Sequence, residues 1–226
     1  MSTVLAAGVA LPLDQGLVDN PVTLLLVLAG IGLLPFVALA LTSFVKIAVV
    51  FSIARTAIGA QQVPPNLVIT GLAVVLSLHV MAPVAEAAYG ELEREAPHPE
   101  SLLQRATRAA APVRDFLLAH SSEEDRAAFL ELAARMRPET TVHDTDFSVL
   151  MPAFLIGELR DAFRIGFLLF LPFLVVDLVV STVLLSLGMH MLSPTTVSLP
   201  FKLLLFVAAD GWRLIAEGLV AGYLPR

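Results

Sequence analysis

Long apolar runs separated by short polar stretches dominate the hydrophobic pattern of this chain. Four runs stand out, and they cover residues 21–45, 67–85, 163–192 and 199–224. An α-helix rises 1.5 Å per residue, so about 20 apolar residues cross the hydrocarbon core of a bilayer. The pattern therefore predicts an all-α membrane protein with four hydrophobic helical regions.

A polar segment between the second and third runs divides the chain. It holds 13 acidic and 7 basic residues, whereas the remainder holds 7 of each, so it accounts for the whole net charge of −6. We interpret it as an exposed, solvated helical hairpin. The predicted divisions are an N-terminal tail (1–20), a first hydrophobic helical pair (21–85), an acidic helical insert (86–146) and a second hydrophobic helical pair (147–226).

Local signals place breaks and caps within these divisions. Residues 46–58 continue the first run as a helix, and Gly59 followed by the Pro64-Pro65 pair predicts a turn after it. In the insert, Ser121 and Glu124 predict a capping box.

Two cations predict the orientation of the chain in the membrane. Lys46 and Arg55 flank the turn between the first two runs, and the excess of cations in cytoplasmic loops favours the cytoplasm for this turn. The acidic insert then lies on the opposite, periplasmic side.

Composition narrows the classes of function. Hydrophobic residues make up 57% and charged residues 15% of the chain, against about 45–50% and about 25% in soluble domains, which argues against a water-soluble monomer. The absence of cysteine excludes disulfides and thiolate metal sites. No phosphate-binding loop, hydrolase motif or metal-ligand spacing of histidines occurs. We therefore predict no enzyme activity, no cofactor, no metal and no nucleic-acid partner.

Charges inside the third and fourth runs need partners. An ionised side chain at the centre of a bilayer costs about 2.5–3.5 kcal/mol, so Asp177 either takes a cation from another helix or another subunit, or stays protonated. The candidate cations are Lys46, Arg55, Lys202 and Arg213. Three interpretations stay open at this point: a pair that fixes helix packing, a proton or ion relay, and helices that are not simple lipid-embedded spans.

Residues 186–202 form an unusual loop sequence. Gly188 is suited to end a helix, and Pro194 and Pro200 resist its continuation. Between them lie Met189, His190 and Met191. Because methionine is unbranched and flexible, these side chains either fill an apolar gap or form an adaptable closure.

Two long segments carry a family resemblance. Residues 42–84 and 151–212 resemble the FliP and SctR (YscR/HrcR) family of the type III secretion export apparatus. The shared elements include Gln-Gln before Pro-Pro-Asn, an Asp inside an apolar run, a methionine-rich loop and Leu-Pro-Phe-Lys. Lys46 and the Gln61-Gln62 pair look more like the injectisome branch than the flagellar branch.

The resemblance implies an architecture and a set of partners. Family members form a pentamer that assembles with a small two-helix subunit and a larger subunit of the export gate, next to the switch/autoprotease export subunit. Bent helical hairpins assemble as a ring or helical oligomer in the bacterial inner membrane, multi-pass and in contact with membrane lipid, and the complex extends to the periplasmic side. Unfolded secreted proteins pass through it, which connects the family with virulence.

The resemblance also implies roles for particular residues. Met189, His190 and Met191 correspond to a pore gasket, in which many members have three consecutive methionines. His190 occupies the middle position here, and imidazole changes charge between pH 5 and 8, so we predict a pH-sensitive constriction. The predicted intersubunit or buried charge pairs involve Lys46, Arg55, Asp177, Lys202 and Asp210.

Two other classes of function compete with a protein export gate. A small-solute or proton channel would use Asp177 and His79 as a relay, and this chain alone would conduct. A structural scaffold around another protein's pore would never touch a substrate. Within the family, a flagellar-branch export gate subunit is the alternative to an injectisome subunit.

Overall fold

The predicted all-α fold is confirmed. A computed structural model describes residues 21–60, 63–94 and 101–224, and these residues contain helices and no strand. The helices are α1 (Pro21–Ala40), α2 (Phe44–Ile58), α3 (Asn66–Glu93), α4 (Leu102–Ala109), α5 (Ala111–His120), α6 (Glu123–Met136), α7 (Phe147–Ser186), α8 (Pro194–Ala208) and α9 (Gly211–Ala221).

The chain forms two compact units, divided after Ala38. The described part of the first unit is helical and belongs to α1, which contains Pro35. The second unit contains α2 to α9 and carries every site discussed below. The predicted tail (1–20) lies outside the described residues.

Helix α2 forms the centre of the larger hydrophobic core. Its buried residues Ile47, Val50, Phe51 and Ala54 recur at helical spacing, and they pack with residues of α3, α7, α8 and α9. The helix ends where the sequence predicts, because Gly59 adopts φ 82° and its amide bonds to the carbonyl of Thr56.

Helix α7 is longer than the apolar pattern predicts. It contains 40 residues and is therefore about 60 Å long, roughly twice the thickness of the hydrocarbon core. The apolar run that begins near residue 163 is only the second part of this helix, because the charged stretch before the run continues the same helix back to Phe147. Two described helices, α3 and α7, are long and apolar enough to cross a membrane.

The fourth apolar run is not one helix. Helix α8 ends at Ala208, and Asp210 adopts the left-handed conformation (φ 49°) before α9 begins. Gly211 permits this corner, since a Cβ atom there would lie 2.3 Å from the Phe206 ring. Because apolar residues lie on both sides of the corner, the hydropathy pattern does not predict it.

The acidic insert is helical, as predicted, but its boundaries differ. Helix α3 continues past Pro83 to Glu93 instead of ending near residue 85. The predicted capping box at Ser121 is wrong by one residue, because Ser122 caps α6 and accepts a hydrogen bond from the Asp125 amide. Ser121 instead donates to the Leu118 carbonyl at the end of α5.

Aromatic contacts fix the insert to the start of α7. Phe116 of α5 packs with Phe154 of α7 at a ring separation of 5.7 Å and with Tyr223 at 6.0 Å. Leu117 and Leu150 complete this second core and are fully buried. The insert is thus a docked part of the larger unit.

Candidate functional site

The methionine-rich loop closes the hairpin between α7 and α8. The Met189 amide bonds to the Leu184 carbonyl and the Gly188 amide to the Leu185 carbonyl, both at 3.0 Å. This is the Schellman pattern of helix termination, and Gly188 supplies the required positive φ of 72°. The expected helix end at Gly188 is confirmed.

Within a single chain, the loop presents apolar side chains to the outside. Met191 is 99% exposed and Met189 is 44% exposed, and His190 is exposed between them. Neither methionine fills a gap in the core of its own chain. Exposed apolar groups at one tip are typical of a surface that another molecule covers.

An ion pair holds the hairpin together below the loop. Lys202 Nζ of α8 lies 2.6 Å from Asp177 Oδ2 of α7, and Ser198 Oγ donates to the other carboxylate oxygen at 2.5 Å. Lys202 Nζ also donates to the Ala57 carbonyl at 3.4 Å, where the end of α2 favours a cation. The pair therefore joins three helices within one chain.

A second buried cluster joins α2, α7 and the C-terminal segment. Lys46 Nζ lies 2.8 Å from Glu158 Oε1 and 4.4 Å from the centre of the Tyr223 ring. The Tyr223 hydroxyl donates to Glu158 Oε2. Burial and the neighbouring Glu158 carboxylate raise the pKa of the Tyr223 phenol, so it remains a donor.

The sequence did not predict a role for Glu158. In the structure only 1% of this residue is exposed. Arg160, Asp161 and Arg164 follow it closely, so the stretch has the composition of an ordinary solvated helix. Its partner Lys46 is 112 residues away along the chain, so no local pattern pairs the two residues.

A bidentate ion pair connects the insert to α7. Arg160 donates to both oxygens of Asp125, at 2.6 and 2.9 Å. These hydrogen bonds, together with the one from Ser122, hold the pKa of the Asp125 carboxyl below its ordinary value despite its burial. Asp125 is therefore ionised at neutral pH.

The other polar residues singled out from the sequence take no part in these ion pairs. Arg55 donates to the Pro64 carbonyl at 3.3 Å and to the Asn66 side chain, which fixes the turn after α2. Asp210 is exposed at the α8–α9 corner and forms no ion pair with any described cation. His79 is exposed on α3 and is not a hydrogen-bond partner of Asp177.

Gln61 and Gln62, which favoured the injectisome branch, lie outside the described residues. Within the described ranges, no group of three or more histidine, aspartate or glutamate side chains is placed to hold a metal ion.

Comparison with known families decides the identity of this helical arrangement. The FliP family pattern matches residues 27–219, which include α2, α7, the methionine-rich loop and both buried ion pairs. The chain belongs to the FliP family. The predicted resemblance is therefore confirmed, and the chain is a membrane protein involved in type III secretion and protein translocation.

Relatives within the FliP family come from both branches. The chain is 45% identical to Yop proteins translocation protein R of Yersinia pestis over 210 residues, covering 90% of this chain and 97% of that protein. It is 42% identical to virulence protein YscR of Salmonella typhimurium over 219 residues, covering 92% and 100%. It is 44% identical to flagellar biosynthetic protein FliP of Caulobacter vibrioides over 223 residues, covering 96% and 82%.

Proposed function

We propose that this chain is the pentameric core subunit of an injectisome export gate and forms the inner-membrane entrance pore for unfolded secreted proteins. The methionine loop supports this proposal most strongly. Met191 is almost fully exposed in one chain, and a ring of copies would bury it at a common centre. The hairpin that carries the loop is fixed at its base by Asp177 and Lys202.

A methionine collar fits the task of such a pore. Met189 and Met191 are unbranched, so they close a gap of irregular shape and rearrange around a passing chain. An apolar constriction also opposes the passage of ions, because dewetting raises the barrier to a hydrated charge. His190 adds an imidazole ring at the same level.

The charged residues have structural roles in this proposal. Asp177 pairs with Lys202, and Lys46 pairs with Glu158, which makes the hairpin and its support rigid. A paired carboxylate leaves no free site for a proton relay between Asp177 and His79. The chain performs no reaction, and the energy for transport comes from other components of the apparatus.

The partners follow from the same role. The small two-helix subunit and the larger subunit complete the gate, and the switch/autoprotease subunit adjoins it. The complex is multi-pass in the inner membrane and extends to the periplasmic side. Exposed apolar residues of α7 and α8 contact these subunits and lipid.

Crosslinking to a stalled substrate tests the proposal. Since the chain lacks cysteine, Met191→Cys introduces one thiol into each copy of this chain. A substrate that carries one cysteine and a C-terminal plug should form a disulfide with this thiol while it is stalled. The matched control is Leu204→Cys, on a residue of α8 that is 71% exposed, and it should not react with the substrate.

Two results would contradict the proposal. One is equal crosslinking at the two positions, or none at Met191→Cys when substrate is demonstrably stalled. The other is ion conductance by the purified chain alone, which would favour the small-solute or proton channel.

A further inference from the structure

Methionines are the side chains of this protein that peroxides attack most readily. The chain contains six methionines and no cysteine, so no thiol of its own competes with the thioethers. Oxidation adds one oxygen to the sulfur and converts a flexible apolar side chain into a polar methionine sulfoxide. The reaction depends on exposure, because the oxidant must reach the sulfur.

The structure describes five of the six methionines, and their exposure divides them into two groups. Met81 and Met151 are partly buried and pack against the second hydrophobic core. Met136 on α6 is 82% exposed, Met189 is 44% exposed and Met191 is 99% exposed. An oxidant therefore reaches the last three most easily, and two of these lie in the same loop.

The methionine-rich loop lies outside the packed interior of the subunit. The His190 amide bonds back to the Gly188 carbonyl at 3.0 Å, and α8 begins only at Pro194. Neither Met189 nor Met191 is among the residues of the two hydrophobic cores. Oxidation of this loop therefore disturbs no core packing within the subunit, and its effect arises where loops of different copies meet.

In the proposed gate, the same oxidation changes the collar that the loops form. A hydrophobic constriction closes by dewetting. A sulfoxide oxygen accepts hydrogen bonds from water, so a collar that carries sulfoxides stays wet. His190 already supplies one polar ring in each copy, and fewer sulfoxides therefore suffice to wet this collar than in a loop of methionines alone.

We propose that Met189 and Met191 form an oxidation site, and that their conversion to sulfoxides opens the closed gate to small solutes. The oxidant is a peroxide. Its O–O bond breaks as an S–O bond forms, the sulfur is oxidised by two electrons, and the other peroxide oxygen leaves as water with both protons. Hydrogen peroxide is uncharged and close to water in size, so it reaches the collar from the aqueous passage. This inference rests on the proposed function, because it requires the loops of several copies at one pore.

Dye leakage from vesicles that contain the purified, complete gate tests the inference. The vesicles are treated with hydrogen peroxide, the peroxide is removed with catalase, and leakage is compared with that of untreated vesicles. Wild-type gates should leak several-fold faster after treatment. Mass spectrometry of the same samples should find sulfoxide at residues 189 and 191.

Three variants assign the leak to the loop. Met189→Leu/Met191→Leu keeps apolar side chains of similar volume, and its leakage should not increase after treatment. Met136→Leu removes the exposed methionine of α6 and should respond as the wild type does. Met189→Gln/Met191→Gln places polar side chains in the loop and should leak without any oxidant.

The outcomes separate the oxidation site from the proposed function. Sulfoxide at residues 189 and 191 without faster leakage, or oxidation of Met136 while residue 191 remains a thioether, would overturn the oxidation site. An equal increase in the leucine double variant, a lost response in Met136→Leu or a tight seal in the glutamine double variant would do the same. All of these results would leave the gate itself intact. The proposed function fails instead if a demonstrably stalled substrate forms no crosslink with Met191→Cys.

Discussion

The two halves of α7 have opposite surroundings. In residues 147–162, Val149, Phe154 and Glu158 are buried against α2, the insert and the C-terminal segment. In residues 163–186, Phe167 is 64% exposed and Leu178 is 65% exposed. One helix therefore combines a half that is folded mainly within its own chain with a half that, apart from buried positions such as Phe173, leaves much of its apolar surface uncovered.

This difference between the halves of α7 predicts which substitutions change the stability of the subunit and which change transport. Partners of the first half are supplied by the same chain, so its contacts contribute to the folding of the subunit. We expect lipid and other subunits to cover the exposed apolar side of the second half, because a soluble protein rarely exposes so large an apolar surface. Substitutions in the first half should change the free energy of unfolding, whereas substitutions near the end of the second half should change transport.

Glu158→Ala should cause the largest loss of stability. It leaves Lys46 as a buried charge without its closest carboxylate, and Tyr223 without its acceptor. Removing one partner of a buried pair costs about 3–5 kcal/mol. Unfolding of the detergent-solubilised chain, followed by helical content during titration with a denaturing detergent, measures this loss.

The matched control for that variant is Glu131→Ala, which breaks an exposed pair with Arg135 on α6. Exposed substitutions of this kind change stability by about 0.5 kcal/mol or less. Similar losses in the two variants would show that Glu158 is solvated in the folded protein and that the halves of α7 do not differ in this way.

Asp177→Ala should cause a smaller loss, about 2–3 kcal/mol. The Lys202 side chain is 7% exposed and loses its carboxylate, but the Asp177 side chain is 25% exposed, so water compensates in part. The double variant Asp177→Leu/Lys202→Met should regain most of the loss, since no buried charge remains. A double variant as unstable as the single variant would contradict the assigned role of the pair.

Acid should release the insert from α7. The pKa of Asp125 is below its ordinary value because Arg160 donates two hydrogen bonds to it. The contribution of the pair to stability is therefore complete above the unfolded-state pKa, about 3.9, and is lost as the pH falls through the lower folded-state pKa.

Hydrogen exchange of α6 amides between pH 6 and pH 3, corrected for intrinsic rates, measures this release. Asp125→Asn should remove the acid-induced step and give the faster exchange at every pH. Asp144→Asn, on an exposed aspartate, is the control and should keep the step. An unchanged step in Asp125→Asn would exclude this carboxylate as its origin.

Residue type predicted some of these features directly. Gly59 and Gly188 end helices because each occupies a positive φ that other residues adopt only with strain. Asp177 required a partner because a charge in an apolar run is costly, but the sequence left several cations open, and only the packing of α7 against α8 selects Lys202.

Other features depend on contacts that no local pattern contains. Glu158 lies in a charged stretch, and its burial arises from α2 and Tyr223, which are distant in sequence. The corner at Asp210 interrupts a run that is apolar on both sides, so hydropathy predicts one segment. The steric contact between Gly211 and Phe206 exists only after α8 has packed.

The double variant Met189→Ala/Met191→Ala should change stability least, by about 0.5 kcal/mol or less, because both side chains are exposed in the single chain. Its effect should appear in transport. With the methionine side chains of all five copies shortened, the closed gate should leak small solutes while secretion of unfolded proteins continues. Leakage of a dye from vesicles containing the purified gate measures this, with Leu187→Ala as the exposed control beside the loop.

His190→Met extends the same measurement. Wild-type gates should leak more at pH 5.5 than at pH 7.5, because protonated imidazoles in one ring repel one another and attract water. His190→Met should remove this difference. A tight seal in the double methionine variant would refute the collar, whereas an equal pH response with and without His190 would leave the collar in place and assign the pH response to another group. The end of α7 would then still differ from its beginning, since the beginning affects folding and the end affects what passes.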